Sequence, residues 1–190
     1  SLSRLEFWGT ILKMTLAKYI LEVGCNTGQN LGCIAEFMPD SNTIWGCDVN
    51  NKALSICKTR HREHNIIHSS GFDLPFRDSY FDLVFTAGVL IHQKPEEVEV
   101  MMQEIMRVSR LYVLALEYGN SIFEDVPYRN QREALFKGPY GEIYEKKYGL
   151  RFVAAGYLYE ERVDGKLITV NSQNKEGSRE GITWWLLSKR

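Results

Sequence analysis

No stretch of this 190-residue chain stays apolar long enough to span a bilayer, and no secretory signal opens it. Both absences argue against a membrane or exported protein, and the working expectation is a cytoplasmic one. An excess of one charge is missing as well. Lys and Arg total 23 against 24 Asp and Glu, a formal net charge of -1, with no basic stripe along the chain. Nothing electrostatic therefore recommends nucleic acid or a membrane surface as a partner. The four cysteines, Cys25, Cys33, Cys47 and Cys57, form no C-x-x-C pair and have no histidines at zinc-ligand spacing, so no metal site is expected. They read as reduced thiols serving as small hydrophobes. Internal repeats and low-complexity tracts are also lacking, and nothing in the sequence speaks to oligomeric state.

What is present is a regular alternation. Apolar runs of strand length exchange with longer amphipathic stretches, the pattern of an α/β protein with a mainly parallel, doubly wound, Rossmann-like sheet. The length suits a single domain over residues 1–190. Residues 1–18 read as a short helical segment, and the abrupt start at Ser1 leaves room for a truncated N-terminus. Strands are expected at 19–23, 43–47, 66–68, 81–86 and 111–116, with helices at 30–38, 52–61 and 95–109. Pro95 suits the first turn of the last helix, and Glu96 and Glu97 suit the positive end of its dipole. Residues 117–141 are irregular, aromatic and charged, long for a plain connection, and read as an inserted substrate lid. A helix near 142–148 and a strand at 152–159 follow. Leu167–Val170 and Ile182–Ser188, separated by a polar loop at 171–181, look like a closing antiparallel hairpin.

The first strand runs into Glu22-Val23-Gly24-Cys25-Asn26-Thr27-Gly28, a glycine turn that opens a helix. Such a turn flags a nucleotide, and three details narrow it. A dinucleotide loop needs glycine where Asn26 stands, so that a pyrophosphate can approach the backbone. Glu22 would repel phosphates and suits a cationic aminoacyl group. No Gly-Lys-Ser or Gly-Lys-Thr follows, which removes the P-loop. Asp48 lies 20 residues beyond Gly28, at the end of the second strand, where a carboxylate can accept hydrogen bonds from ribose hydroxyls. Val49 beside it offers an apolar face to an adenine.

Taken with Leu74-Pro75-Phe76 and Phe81-Asp82-Leu83-Val84, the glycine turn and Asp48 resemble the class I S-adenosylmethionine-dependent methyltransferases over residues 19–116. The resemblance implies a seven-stranded sheet, S-adenosylmethionine as cofactor and S-adenosylhomocysteine as product. It points to Glu22, Gly24, Cys25, Asn26, Thr27, Gly28 and Asn30 for the cofactor's aminoacyl end. Asp48, Val49, Ser70, Gly71 and Phe72 fall to the nucleoside, and Thr86, Ala87 and Gly88 to the methionine portion. Ser70 replaces the acidic residue that many relatives use for the adenine amino group, so backbone groups near Gly71 and Phe72 are expected to do more of that work. Gly88-Val89-Leu90-Ile91-His92, Glu117-Tyr118, Val126-Pro127-Tyr128-Arg129, Leu135-Phe136-Lys137 and the ending Trp184–Arg190 are similar to methylases associated with pseudaminic acid biosynthesis. That likeness implies an acidic nine-carbon sugar, its precursor or its nucleotide form as methyl acceptor.

Methyl transfer from a sulfonium chiefly requires alignment and exclusion of water, and a hydroxyl or ammonium acceptor also gains from a base. His92 is the first candidate base, because histidine titrates near neutrality; its alternative is a histidine packing the loop. Glu117, expected to face the same cleft, is the second, against an ordinary strand-terminal carboxylate. Tyr118, Tyr128, Arg129 and Lys137 place cations beside aromatic rings, a composition fit for an anionic sugar, against a solvated charged loop. Two other functions stay open: a non-catalytic binder of the cofactor, and a methyltransferase acting on nucleic acid or protein. The nucleic-acid amino-methylation motif (Asn or Asp-Pro-Pro-Tyr) is absent after the fourth strand, where Thr86-Ala87-Gly88-Val89 stands.

Overall fold

A computed structural model describes residues 4–163, 166–172 and 181–190, with backbone alone at 160–163 and 166–172. Helix α1 (Arg4–Thr15) precedes β1 (Ile20–Val23), and the chain then alternates α2 (Gln29–Ala35), β2 (Ile44–Asp48), α3 (Asn51–Arg60) and β3 (Asn65–His68). After a loop come β4 (Phe81–Ala87), α4 (Pro95–Val108) and β5 (Ser109–Glu117). Residues 117–141 contribute β6 (Glu124–Asp125) and β7 (Phe136–Lys137), and α5 (Tyr140–Tyr148), β8 (Arg151–Val163), β9 (Lys166–Ser172) and β10 (Ile182–Ser188) complete the described chain.

The main sheet has the order β3-β2-β1-β4-β5-β10-β8-β9. The five strands from β3 to β5 are parallel, and β10, β8 and β9 extend them in antiparallel pairs. The doubly wound reading holds, with antiparallel strands at the C-terminal side as expected. The closing hairpin needs correction. Residues 166–172 pair with β8, not with 182–188, and β10 runs between β5 and β8. The reason is that β10 is apolar on both faces. Trp184 and Leu186 enter the core on one side of the sheet, while Leu187 is buried and Trp185 packs on the other, so an interior slot buries more than an edge would. Residues 173–180 of the expected loop lie outside the described residues.

Each face of the sheet has its own core. Phe7, Trp8 and Ile11 of α1 pack with Leu31, Ile34, Leu54 and Cys57 on one side. Val98, Met101, Met102, Ile105 and Val108 of α4 form a buried stripe on the other, joined by Tyr140 and Tyr144 of α5. Local signals set the ends. The Asn50 side chain accepts from the amides of Lys52 and Ala53 to start α3, and Gly149 in the left-handed region stops α5. Cys25, Cys47 and Cys57 are buried and all four thiols are free, as small hydrophobes should be.

Two charged residues lock the frame around the site. Asp82 accepts from the amides of Lys18 and Tyr19 and pairs with Arg110, which fixes the entry to β1. Arg107 of α4 donates to the carbonyls of Phe76 (2.6 Å) and Leu74 (2.8 Å), while its partner Glu104 accepts from the Leu74 amide (2.9 Å). That brace explains the Leu74-Pro75-Phe76 segment: its carbonyls are held by one guanidinium.

Candidate cofactor and active site

The strand order reverses between β1 and β4, and two cavities open there, as the topology of such sheets requires. The first, of about 570 Å³, is lined by Glu22, Gly24, Cys25, Asn26, Thr27 and Asn30 from the turn after β1. Ala87, Gly88 and Tyr118 add the ends of β4 and β5. The second, of about 390 Å³, is lined by Asp48, Val49, Ser70, Gly71, Phe72 and His92, among others. Gly24, Asn26, Ala87 and Gly88 belong to both, so the cavities meet at the glycine turn.

Gly24 is compulsory for this geometry. Its φ is +76°, and an added Cβ would lie 2.3 Å from Val89 Cγ2, so the turn after β4 sits directly on the backbone. Asp48 braces the loop from the other side: its two oxygens accept from the amides of Asn26 and Asn50, each at 2.8 Å. Val49 is 63% exposed, a bare apolar surface at the rim of the second cavity. The Ser70 hydroxyl accepts from the Phe72 amide at 3.2 Å, which shapes the wall.

Glu22 is buried. Asn30 donates to one of its oxygens at 2.7 Å, while the other finds no partner among the described residues. Burial pushes its carboxyl up to about 8, opposed in part by Asn30 and, more distantly, by the Arg4 guanidinium.

Six of the expected site residues line neither cavity. Gly28 is the left-handed N-cap of α2 (φ +79°), where an added Cβ would lie 2.6 Å from Cys57 Sγ; its role is packing. Thr86 is buried within β4. Glu117 does not face the cleft. It is fully buried, and its carboxylate accepts from the amides of Val89 (3.1 Å) and Ile91 (3.3 Å) in the turn after β4. Burial pushes it up to about 7, against those amides, the Leu90 amide and the nearby Thr86 hydroxyl. It lines neither cavity, and backbone amides occupy its carboxylate. Tyr128, Arg129 and Lys137, in the 117–141 segment, lie outside both cavities. The Arg129 guanidinium sits 5.2 Å above the Tyr128 ring, which in turn lies 5.6 Å from the His92 ring.

His92 ends the 3-10 turn Leu90–His92 and lies 2.7 Å from the Ala134 carbonyl through Nδ1. A carbonyl only accepts, so Nδ1 carries the proton and Nε2 is the basic nitrogen. The sequence reading gave α1 as a helical segment but named none of its residues for the site: Arg4, Phe7 and Trp8 line the first cavity, and Arg4 donates to Gln29 at 2.8 Å. Their signal was a face at three- and four-residue spacing that places Arg4, Phe7, Trp8 and Ile11 together. Leu158, Tyr159, Gly181 and Ile182 close the same cavity from β8 and the entry to β10. No group of three or more His, Cys, Asp or Glu among the described residues suits a metal ion, and no described helix is long and apolar enough to cross a membrane.

Residues 21–111 match the family model described as a methyltransferase domain. Over that stretch, 91 of 190 residues, the chain is similar to S-adenosylmethionine-dependent methyltransferases. It is 30% identical over 112 residues to the "Probable tRNA methyltransferase 9B" of Mus musculus, covering 55% of this chain and 24% of that protein. It is 31% identical over 91 residues to the demethylmenaquinone methyltransferase of Bacillus licheniformis, covering 46% and 38%. The chain thus spans well under half the length of these curated relatives. Among solved structures, the 1,6-didemethyltoxoflavin-N1-methyltransferase of Burkholderia thailandensis, with bound S-adenosylhomocysteine, superposes with a TM-score of 0.71 at 13% identity, covering 98% of this chain and 78% of that one. A SAM-dependent methyltransferase of Methanosarcina mazei gives 0.67 at 16%, covering 94% and 96%. S-adenosylmethionine is the cofactor of this domain class, and the residues present fit it. The unpartnered oxygen of Glu22 beside the first cavity suits an ammonium group, and Asp48 on the second suits a ribose.

Proposed function

We propose that the protein is an enzyme that binds S-adenosylmethionine across the two cavities and transfers its methyl group to a small molecule, an acidic sugar of the nonulosonic type or its precursor. The observation that carries the cofactor half is the buried Glu22 carboxylate, satisfied at one oxygen and open at the other. Bound, the cofactor supplies a methyl group on a cationic sulfur, already activated for in-line displacement. The chain's own residues hold and orient. Glu22 receives the aminoacyl ammonium, and Arg4, in the same cavity, offers a counter-charge to its carboxylate. Asp48 keeps acceptor capacity for the ribose hydroxyls, and Val49 with the Gly71-Phe72 backbone shelters the adenine. Thr27, Ala87, Gly88 and Tyr118 border the first cavity under the cover of α1, and would align an acceptor there and exclude water.

His92 is the base in this reading, with Nε2 free to take the proton that a hydroxyl or amine acceptor gives up. Support for an acidic acceptor comes from the lid, where Arg129 lies over Tyr128 and Tyr128 makes a tilted ring contact with His92 at the rim of the second cavity. Lys137 on β7 adds a second cation to the same lid over residues 117–141. Free, buried thiols fit a reducing, cytoplasmic setting. Incubation with labelled S-adenosylmethionine and a panel of nonulosonic acids and their nucleotide forms tests the reading, with mass spectrometry reporting a gain of one methyl group. Label on none of them, with adenosylhomocysteine still bound, would replace the sugar reading or reduce the protein to a binder. The tRNA methyltransferase likeness favours nucleic acid as a second reading. Tight, salt-sensitive mobility shifts with random RNA would select it.

A further inference from the structure

Glu117 spends both carboxylate oxygens on backbone. Val89 N donates to both (3.1 and 3.3 Å) and Ile91 N to one (3.3 Å), and no side-chain cation lies among its hydrogen-bond partners. The amides it satisfies belong to the tight turn between β4 and α4, and three features of the site hang from that turn. Val89 rests on Gly24, closer than any Cβ there would permit. Gly88, Val89, His92 and Gln93 line the second cavity. His92, one residue beyond the last amide that Glu117 holds, fastens the lid through Ala134.

The groups facing Glu117 are few. Thr86 of β4 presents a buried hydroxyl that favours the charged carboxylate, and Tyr140 and Tyr144 of α5 present phenols whose negative form it opposes. Tyr140 OH donates to the Phe136 carbonyl of β7 at 2.9 Å and lies 3.5 Å from the Leu90 carbonyl, so the same buried layer reaches the lid. A charged carboxylate is the strongest acceptor for paired amides, whereas a protonated one brings a donor of its own into a pocket that offers donors.

We infer that Glu117 is the positioning residue of the site: in its charged form it seats the Val89–His92 turn against the glycine turn, and on protonation it loosens that turn and the nucleoside cavity with it. The inference rests on the nucleoside reading of the second cavity for its binding consequence, but not for its structural one.

The test uses the whole chain. Amide spectra of the 15N-labelled protein between pH 6 and 8.5 show Val89 and Ile91 titrating together in the wild type and not in Glu117→Gln. Binding of methylthioadenosine, a nucleoside without the aminoacyl arm that Glu22 faces, is at least about fivefold weaker in Glu117→Gln at pH 8 and no longer varies with pH in step with those amides. Flat Val89 and Ile91 amides in the wild type, or a variant that binds as the wild type does, would overturn the inference. Should Glu117→Gln fail to fold, the wild-type titration decides alone. Failure of the wild type to bind methylthioadenosine or adenosylhomocysteine would defeat the cofactor reading instead, and the amide titration would still judge Glu117.

Discussion

Asn30 holds one oxygen of Glu22 at 2.7 Å and leaves the other bare, so a buried carboxylate beside the first cavity is only half satisfied. Burial keeps that group protonated up to about pH 8, and an incoming ammonium reverses the preference. Adenosylhomocysteine binding should therefore release a proton near pH 7, and affinity should rise by up to about tenfold per pH unit as pH climbs toward 8. Calorimetry in buffers of different ionisation enthalpy counts the proton. Glu22→Gln should bind more weakly and show no proton release.

Stability should run the other way. Glu22 and Glu117 both have folded-state values raised above the ordinary carboxylate value, to about 8 and about 7. The unfolded chain gives up these protons first, so between roughly pH 5 and 8 the folded state binds more protons and stability falls as pH rises. Without ligand, the melting temperature should drop across that window. Glu22→Gln should flatten the decline and melt roughly 4 °C higher at pH 8. Thermal denaturation at several pH values reads this directly.

Asp48→Ala should weaken adenosylhomocysteine binding by more than tenfold. The substitution removes the ribose acceptor and also frees the Asn26 and Asn50 amides that the carboxylate now holds. Asp48→Asn keeps an acceptor for one amide only and should fall between the two in a calorimetric titration.

Gly28→Ala tests packing without touching either cavity. The left-handed backbone costs an alanine about 1–2 kcal/mol, and the clash with Cys57 adds about 1–3 kcal/mol. A loss of roughly 2–5 kcal/mol in urea unfolding is the expected outcome, with ligand affinity of the folded fraction changed less than fivefold.

Arg107→Ala should be as damaging from a greater distance. The Leu74 and Phe76 carbonyls lose their donor and Glu104 its partner, a loss of roughly 2–4 kcal/mol. Circular dichroism melting would show it, and nucleoside binding should weaken because Gly71 and Phe72 border that segment.

Much of the frame was legible because local chemistry announced it. The glycine turn, Pro95 with its following glutamates and the strand-length apolar runs each specify one element without help from the rest. The lining of the second cavity was legible for the same reason, since Asp48 and Val49 follow β2 and Gly71 follows β3. Glu117 was not, because sequence places a carboxylate at the end of β5 but does not say which way it points. Its direction is set by two amides that a tight turn 26 to 28 residues earlier leaves unpaired. Arg4 and Trp8 were missed because α1 precedes the first strand, and only tertiary packing brings it over the cavity. The partner of β9 was misread since a polar loop between apolar runs signals a turn but not a neighbour.

The insertion of β10 between β5 and β8 also sets a clock on the site. Gly181 and Ile182, which close the first cavity, are synthesised after every other lining residue, and β5, already paired with β4, waits for its second partner until they emerge. On the ribosome, a nascent chain that has already made the glycine turn, Asp48 and His92 still has an open-sided pocket and one open edge on β5. A ligand that needs the closed cavity therefore favours the seated β10 by mass action, and a seated β10 favours the ligand.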